Sequence, residues 1–223
     1  MRPKLLGFFS GFPSRHFTDE IAIRLREELS VRESLVFVSA WPFDFSRNDD
    51  DAAGMHGMFT ERGMTFRRYH VIDGRTGSAE ARRLVREASC IFLMGGHAVQ
   101  QFQLIRGKGI GDEICGCGAV VLGVSAGAVN MARRAVDIYE SLLPYDGLDL
   151  ADITVKAHFN FSDENLVGTL RTVSMALPVC AMEDESAIFV KGSHAEIFGS
   201  IHLIDKGIIT TLAQEWLENH AAG

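Results

Sequence analysis

Short apolar runs bounded by turn residues recur through the first half of the chain, and helical patterns separate them. The runs are Leu5–Ser10, Ser34–Ser39, Thr65–Val71, Cys90–Met94 and Ala119–Val124. Apolar runs that alternate with helices are typical of strands in a parallel sheet, because such strands are covered on both faces. The sequence therefore predicts an α/β fold in which a mostly parallel sheet is flanked by helices.

Capping residues followed by apolar positions at helical spacing predict the helices between these runs. We expect helices from Asp19 to Ser30, from Asp49 to about Arg62 and from Ala79 to Ala88. Later in the chain we expect strands at Ile153–Ala157 and Val179–Met182, a helix from about Asp163 to Leu177 and a terminal helix at Thr210–His220. Three short runs predict a small C-terminal antiparallel hairpin region: Ser186–Val190, Ala195–Phe198 and Ile201–Ile204.

The length and composition fit one domain. A chain of 223 residues is only moderately longer than the ~150 residues of an average domain, and its 47% hydrophobic residues can supply one core. No stretch rich in Pro, Gly and Ser divides it. We therefore expect a single α/β domain over residues 1–223.

Charge and hydropathy limit the partners and the location. The net charge of −7 argues against nucleic acid, which requires clustered Lys and Arg. No apolar run approaches the ~18 residues of a membrane span, and the run at Leu5–Phe9 is shorter than the core of a signal peptide. Four scattered cysteines fit free thiols, and Cys115 and Cys117 lack a second pair at zinc-ligand spacing. We expect a cytoplasmic protein with no membrane partner and no metal site.

The segment with the clearest chemistry is Gly123-Val-Ser125-Ala-Gly127, which directly follows a predicted strand. A serine between two glycines at a strand end is typical of a nucleophile elbow. The glycines are needed because the sharp turn brings the backbone on either side of the serine close together. A simpler interpretation is a strand that turns through small residues into a helix.

Two further features could complete a catalytic site around Ser125. The preceding strand ends in Gly95-Gly96, and an N–H group there, together with that of Ala126, could form an oxyanion hole. The alternative is a plain Gly-Gly turn. A serine nucleophile also needs a base, and His158 lies at the end of a predicted strand, as Ser125 does. His97 is the rival base and a candidate for the pocket wall.

These motifs, in this order and at these separations, resemble peptidase family S51, which includes peptidase E and the cyanophycinases. The residues that carry the resemblance are Gly95-Gly96-His97, Gly123-Val-Ser125-Ala-Gly-Ala128 and Ala157-His158-Phe159. The resemblance extends from about Leu5 to Ile204. It implies a three-layer fold similar to that of flavodoxin and of the class I glutamine amidotransferases. Serine would take the place of the cysteine nucleophile of the amidotransferases. It also implies that Ser125 is the nucleophile, that His158 is the base and that Gly96 and Ala126 form the oxyanion hole.

The third member of the triad is ambiguous in the sequence. The resemblance implies an acidic residue on a strand after the histidine, and Asp184 stands at that position. Glu185 and Asp137 are the alternatives. The chemistry requires only a carboxylate that accepts the Nδ1–H of the histidine and so fixes its tautomer.

The substrate side departs from the family pattern. The family's usual Gly-Gly-Asn-Thr is Gly95-Gly-His-Ala98 here, which alters one wall of the pocket. Members that prefer aspartate pair its carboxylate with an arginine on the helix after the histidine, where this chain offers only Arg171. A preference for an acidic residue in the substrate therefore does not follow from the resemblance alone.

The sequence as a whole predicts a serine peptidase that hydrolyses small peptides without a cofactor, and a homodimer is compatible with it. One alternative is an esterase or amidase that acts on a non-peptide acyl group, since the same catalytic parts would serve. The other is a catalytically silent binding module of the same fold.

Overall fold

The computed structural model describes residues 3–136 and 143–221. The first half alternates strands and helices: β1 (Leu5–Phe9), α1 (Asp19–Glu28), β2 (Ser34–Val38), α2 (Phe45–Glu61), β3 (Arg68–Ile72), α3 (Ser78–Glu87), β4 (Cys90–Leu93), α4 (Ala98–Lys108), α5 (Gly111–Gly116), β5 (Val120–Val124) and α6 (Ala126–Met131). The second half is richer in strands: β6 (Arg134–Val136), β7 (Pro144–Asp146), β8 (Val155–Lys156), α7 (Glu164–Val173), β9 (Val179–Met182), β10 (Ala187–Lys191), β11 (His194–Phe198), β12 (Ile201–Asp205), β13 (Ile208–Thr211) and α8 (Gln214–Ala221).

Seven strands form the central sheet, in the order β11-β10-β1-β5-β4-β2-β3. The five strands β1 to β5 are parallel to their neighbours, and the β10–β11 hairpin adds to the edge of β1 in antiparallel orientation. The prediction of a mostly parallel sheet flanked by helices is therefore confirmed. Because β5 lies between β1 and β4, the segments that follow these three strands meet at the same edge of the sheet.

Alternate side chains of each strand enter two different cores, as the two-residue period of a strand requires. On the face covered by α1 and α2 the core is aromatic and includes Phe9, Phe37, Phe59 and Phe92, whose rings pack on one another. The opposite face is mostly aliphatic and packs against α3, α4 and α6. Burial on both faces explains why the strands read as continuous apolar runs.

A second sheet has the order β13-β12-β9-β8 and packs against α7 through Phe159, Leu170 and Ile204. Its strands β8 and β9 are parallel, with Lys156 opposite Ala181. The residues that follow these two strands therefore lie side by side, although α7 separates them in the chain. The predicted C-terminal hairpin region is thus divided, since β10 and β11 extend the central sheet and β12 and β13 belong to this one.

Several predicted boundaries differ from the observed ones. The helix expected from Asp49 begins at Phe45, because the Asp44 side chain caps it by accepting the N–H of Arg47. The terminal helix expected from Thr210 begins only at Gln214, because Ile208–Thr211 pairs with β12 instead. The strand expected at Ile153–Ala157 shortens to β8.

The sequence did not predict helix α4. Its segment follows Gly95-Gly96 and contains Gly107, so turn residues mask a helix whose buried positions are Gln101, Leu104 and Ile105. Across residues 3–136 and 143–221, no helix combines the length and the apolar character needed to cross a membrane.

Candidate active site

Ser125 lies between the last residue of β5 and the first residue of α6, with φ 51° and ψ −110°. This positive φ is unfavourable for a residue with a side chain. The turn is tight enough to require both flanking glycines. A Cβ atom built on Gly123 would lie 2.6 Å from the backbone carbon of Gly127, and one built on Gly127 would lie 2.1 Å from the carbonyl oxygen of Leu93. The backbone therefore has the geometry of a nucleophile elbow.

His158 reaches the serine from the second sheet. It follows β8, and its Nε2 lies 3.0 Å from the Oγ of Ser125. Its backbone also has a positive φ, 56°, and its N–H donates to the Oγ of Ser10 at 2.7 Å. A hydrogen bond to the end of β1 in the central sheet thus anchors the backbone of His158, which follows a strand of the second sheet.

The carboxylate of Asp184 completes a line of three side chains. Its Oδ1 lies 2.7 Å from the Nδ1 of His158, on the side of the ring away from Ser125. Asp184 follows β9 and His158 follows β8, so the parallel pairing of these strands brings the two residues together. The alternative Asp137 lies outside the described residues.

The two glutamates beside Asp184 have other partners. The Oε1 of Glu185 accepts the backbone N–H of Ser14 at 3.1 Å. The Oε1 of Glu183 lies 2.7 Å from the Nε2 of His202. Of the three consecutive acidic residues, Asp184 is the one whose carboxylate contacts His158.

Ser10 and Gly11, to which the sequence had assigned no role in the site, support the line formed by Ser125, His158 and Asp184. The Oγ of Ser10 donates to the carbonyl oxygen of Met182 at 3.0 Å while it accepts from His158. A Cβ atom on Gly11 would lie 2.3 Å from the Cε1 of His158 and 2.8 Å from the Oδ1 of Asp184. Both residues directly follow β1, the neighbour of β5, and this position was the only sequence signal for their role.

Gly95 and Gly96 follow β4 on the other side of Ser125. A Cβ atom on Gly95 would lie 3.6 Å from the Cβ of Ser125. Gly96 has φ 137°, and a Cβ atom there would lie 2.2 Å from the Nε1 of Trp41, so this position requires glycine. Ala126 occupies the first position of α6, where a backbone N–H has no partner within the helix. The structure thus places Gly96 in the same cleft as Ser125, and Ala126 directly after the serine.

A cleft of about 460 Å³ opens above Ser125 and His158. One wall is a face of α2 formed by Arg47, Asp51 and Met55, which are spaced four residues apart. Sequence reasoning missed this wall, because nothing in the helical pattern shows which polar face of α2 lies toward the strand ends.

The two predicted pocket residues lie elsewhere. His97 packs edge-on against the indole of Trp41, with ring centroids 5.9 Å apart, behind the backbone of Gly96. Arg171 is exposed on α7, the helix that covers the second sheet. Neither side chain lines the cleft.

Lys156 is buried close to this site, with only 6% of its surface exposed. Its Nζ donates to the carbonyl oxygen of Ala157. Burial lowers the pKa of the Lys156 ammonium to about 8, and the negative charges of Asp184 and Asp163 oppose this decrease. At neutral pH the side chain is therefore mostly protonated and supplies a positive charge near the carboxylate of Asp184.

The model of peptidase family S51 matches residues 44–198, a range that includes Ser125, His158 and Asp184. No curated protein sequence matches the chain.

Two solved structures share the fold over nearly the whole chain. One is the crystal structure of a peptidase from an acI-B1 Actinobacterium, with 14% sequence identity and a TM-score of 0.70, covering 94% of this chain and 93% of that one. The other is a peptidase E-like protein from Listeria monocytogenes EGD-e, with 18% identity and a TM-score of 0.64, covering 94% of this chain and 99% of that one. At these identities the likeness concerns the fold.

Proposed function

Because the chain belongs to peptidase family S51, we propose that it is a serine peptidase that hydrolyses short peptides. Membership of the family confirms the resemblance drawn from the sequence motifs. One observation supports the serine mechanism above all others. The contacts run without a break from Asp184 to His158 at 2.7 Å and from His158 to Ser125 at 3.0 Å. A carboxylate, an imidazole and a hydroxyl in this order activate the hydroxyl as a nucleophile.

In the acylation step, the Oγ of Ser125 attacks the carbonyl carbon of the scissile peptide bond. The Nε2 of His158 takes the hydroxyl proton, and Asp184 accepts the Nδ1–H and stabilises the imidazolium. The carbonyl oxygen becomes an oxyanion between the N–H groups of Gly96 and Ala126. Two such donors stabilise this charge, and the loss of one typically costs about 3–4 kcal/mol of transition-state stabilisation.

Collapse of this intermediate breaks the C–N bond, and His158 returns the proton to the leaving amine. A water molecule then attacks the ester formed with Ser125, and His158 accepts a proton from that water. The C–O bond to Ser125 breaks, Ser125 regains its proton, and the acyl half leaves as a carboxylic acid. The side chain of His158 is 47% exposed, so water has access for this second step.

The size of the cleft favours short substrates. A volume of about 460 Å³ lies near the lower end of the 300–1,000 Å³ that is typical of small-ligand pockets. A dipeptide or tripeptide fits such a space better than an extended polypeptide, which also needs a groove on either side of the scissile bond.

The experiment compares the purified chain with Ser125→Ala on a dipeptide panel, with products quantified by mass spectrometry. We expect turnover by the original chain and a loss of at least about 10⁴-fold in the variant, whose melting temperature should change little. Ser193→Ala is the matched control, because Ser193 lies in the exposed β10–β11 turn at the opposite edge of the sheet.

Two results would contradict the proposal. Full activity of Ser125→Ala would mean that another group is the nucleophile. Hydrolysis of activated esters without turnover of any peptide would indicate an acyl hydrolase of a different class.

A further inference from the structure

The cleft above Ser125 contains one side chain with a permanent positive charge. Among the described residues that line it, Arg47 is the only arginine or lysine. The chain as a whole carries a net charge of −7, and Asp184 is the middle one of three consecutive acidic residues. Within the cleft itself, Arg47 is therefore the side chain that can attract an anionic group of the substrate.

Two contacts hold the Arg47 guanidinium. Its central carbon lies 4.6 Å from the ring centroid of Trp41, so the group stacks on the indole. Its Nε donates to the Oδ2 of Asp51 at 3.4 Å. The two terminal nitrogens, Nη1 and Nη2, have no hydrogen-bond partner within residues 3–136 and 143–221. They form the edge of the guanidinium that a planar carboxylate binds with two parallel hydrogen bonds.

Hydrogen bonds of the Trp41 backbone hold the surface on which Arg47 stacks. The Trp41 backbone N–H donates to the Oγ of Ser39 at 2.8 Å, and the Trp41 carbonyl oxygen accepts from the Nδ2 of Asn48 at 2.9 Å. Ser39 and Asn48 are themselves hydrogen-bonded to each other and buried. An arginine that is oriented before the substrate arrives loses less conformational entropy on binding it.

The ion pair between Arg47 and Asp51 is weak enough for Arg47 to bind a ligand as well. Asp51 lies four residues further along α2, and both side chains are about half exposed. Exposed ion pairs of this kind contribute only about 0.3–0.5 kcal/mol. A substrate carboxylate that engages Nη1 and Nη2 leaves the Nε contact with Asp51 in place, so the two acceptors do not compete for the same hydrogen.

The order of the strands indicates which half of the substrate Arg47 contacts. Along this edge of the sheet the strands lie in the order β1, β5, β4 and β2, and they are followed by Gly11, Ser125, Gly96 and Trp41 respectively. The ring of His158 lies beside Gly11. The leaving amine must approach His158, which protonates it. The acyl half, on the N-terminal side of the scissile bond, then extends toward Gly96 and Trp41.

We propose that Arg47 is a specificity-determining residue that binds a carboxylate on the acyl half of the peptide substrate. This inference rests on the proposed function for the identity of the substrate. It assigns the carboxylate to α2 and not to Arg171 on α7, the position to which the family resemblance points.

The test compares Asp-Leu with its neutral counterpart Asn-Leu, and with Asp-Leu amide, in which the terminal carboxylate is blocked. For Arg47→Gln we expect kcat/KM on Asp-Leu to fall by about 10- to 100-fold, the effect of losing a charged hydrogen-bonding partner, mostly through a higher KM. Activity on Asn-Leu should stay within about twofold. Arg171→Gln is the matched control and should leave the ratio between Asp-Leu and Asn-Leu unchanged.

A second measurement separates this inference from the proposed function. Calorimetric titration of Ser125→Ala and of Ser125→Ala with Arg47→Gln measures peptide binding without hydrolysis. Tighter binding of Asp-Leu than of Asn-Leu, lost with Arg47→Gln, would support the role of Arg47 even if the original chain cleaved no peptide.

Three outcomes would overturn the inference. One is an unchanged preference between Asp-Leu and Asn-Leu in both experiments when Arg47 is replaced. Another is loss of that preference in Arg171→Gln. The third is an effect of Arg47→Gln that disappears with Asp-Leu amide, which would place the bound carboxylate on the leaving half.

Discussion

Ser125 and His158 both have positive φ angles, and both are residues for which this conformation is costly. Strain of this kind costs about 1–3 kcal/mol per residue and persists only where the surrounding contacts impose it. At Ser125 the close approach of Gly123 and Gly127 imposes it, and at His158 the hydrogen bond from its N–H to Ser10 does so. Among residues 3–136 and 143–221, two of the six non-glycine residues with a positive φ are therefore the pair whose mutual position matters most for the proposed chemistry.

Gly11→Ala tests how closely the His158 ring is positioned. The new methyl group would lie 2.3 Å from the Cε1 of His158, so the ring must leave the position in which it contacts Ser125. We expect kcat/KM on peptides to fall by about 100-fold or more, since a displacement near 1 Å can cost that much. Steady-state kinetics measure this loss, and thermal unfolding should show an intact fold.

Gly57→Ala is the matched control, because a methyl group on this residue of α2 would contact nothing within 4 Å. It should keep full activity and gain about 0.5–1 kcal/mol of stability from its better helix propensity. If Gly11→Ala kept kcat/KM within twofold of the original chain, the support assigned to Gly11 would be wrong.

At the scale of elements, buried amides on α4 and α6 connect the strand ends around the site. The Nε2 of Gln101 donates to the carbonyl oxygens of Val38 and Met94, each at 2.9 Å. The Nδ2 of Asn130 donates to the Oε1 of Gln101 at 3.0 Å and to the carbonyl oxygen of Ala98 at 2.8 Å. Helix α6, which begins after Ser125, is thus joined to the segment that contains Gly95 and Gly96.

Gln101→Met tests this connection with a side chain of similar volume. The carbonyl oxygens of Val38 and Met94 would lose their buried donor, so we expect the free energy of unfolding to fall by about 2–3 kcal/mol. We also expect kcat/KM to fall by about tenfold as Gly96 shifts relative to Ser125. Chemical denaturation and kinetics measure the two effects.

Gln103→Met, at an exposed position of the same helix, is the control and should change neither quantity. A Gln101→Met variant that loses stability but keeps full activity would show that the amides stabilise the fold without positioning the oxyanion hole.

The limits of sequence reasoning are clearest at the level of elements. The positions of β1, β2, β4 and β5 followed from their apolar runs, because a strand buried on both faces has a local signature. Helix α4 lacked such a signature, because its segment follows Gly95-Gly96 and contains Gly107. The beginning of α2 was misplaced because Asp44 competes with Asp49 as the cap, and only the observed hydrogen bond to Arg47 decides between them.

At the scale of the whole molecule, two sheets together assemble the site. The central sheet supplies Ser125, and the parallel pair β8 and β9 of the second sheet supplies His158 and Asp184. The sequence predicted the strands but not this pairing, because α7 separates the two strands and the pairing depends on long-range contacts. Arg47 and Gly11 were missed for the same reason, since only the strand order brings α2 and the end of β1 to the serine.

The most direct test of the central claim, that Ser125 is an activated nucleophile, is labelling with a fluorophosphonate followed by intact-mass measurement and peptide mapping. We expect one adduct per chain, located at Ser125, and no adduct in Ser125→Ala. Labelling at another residue, or no labelling of the folded chain, would contradict it.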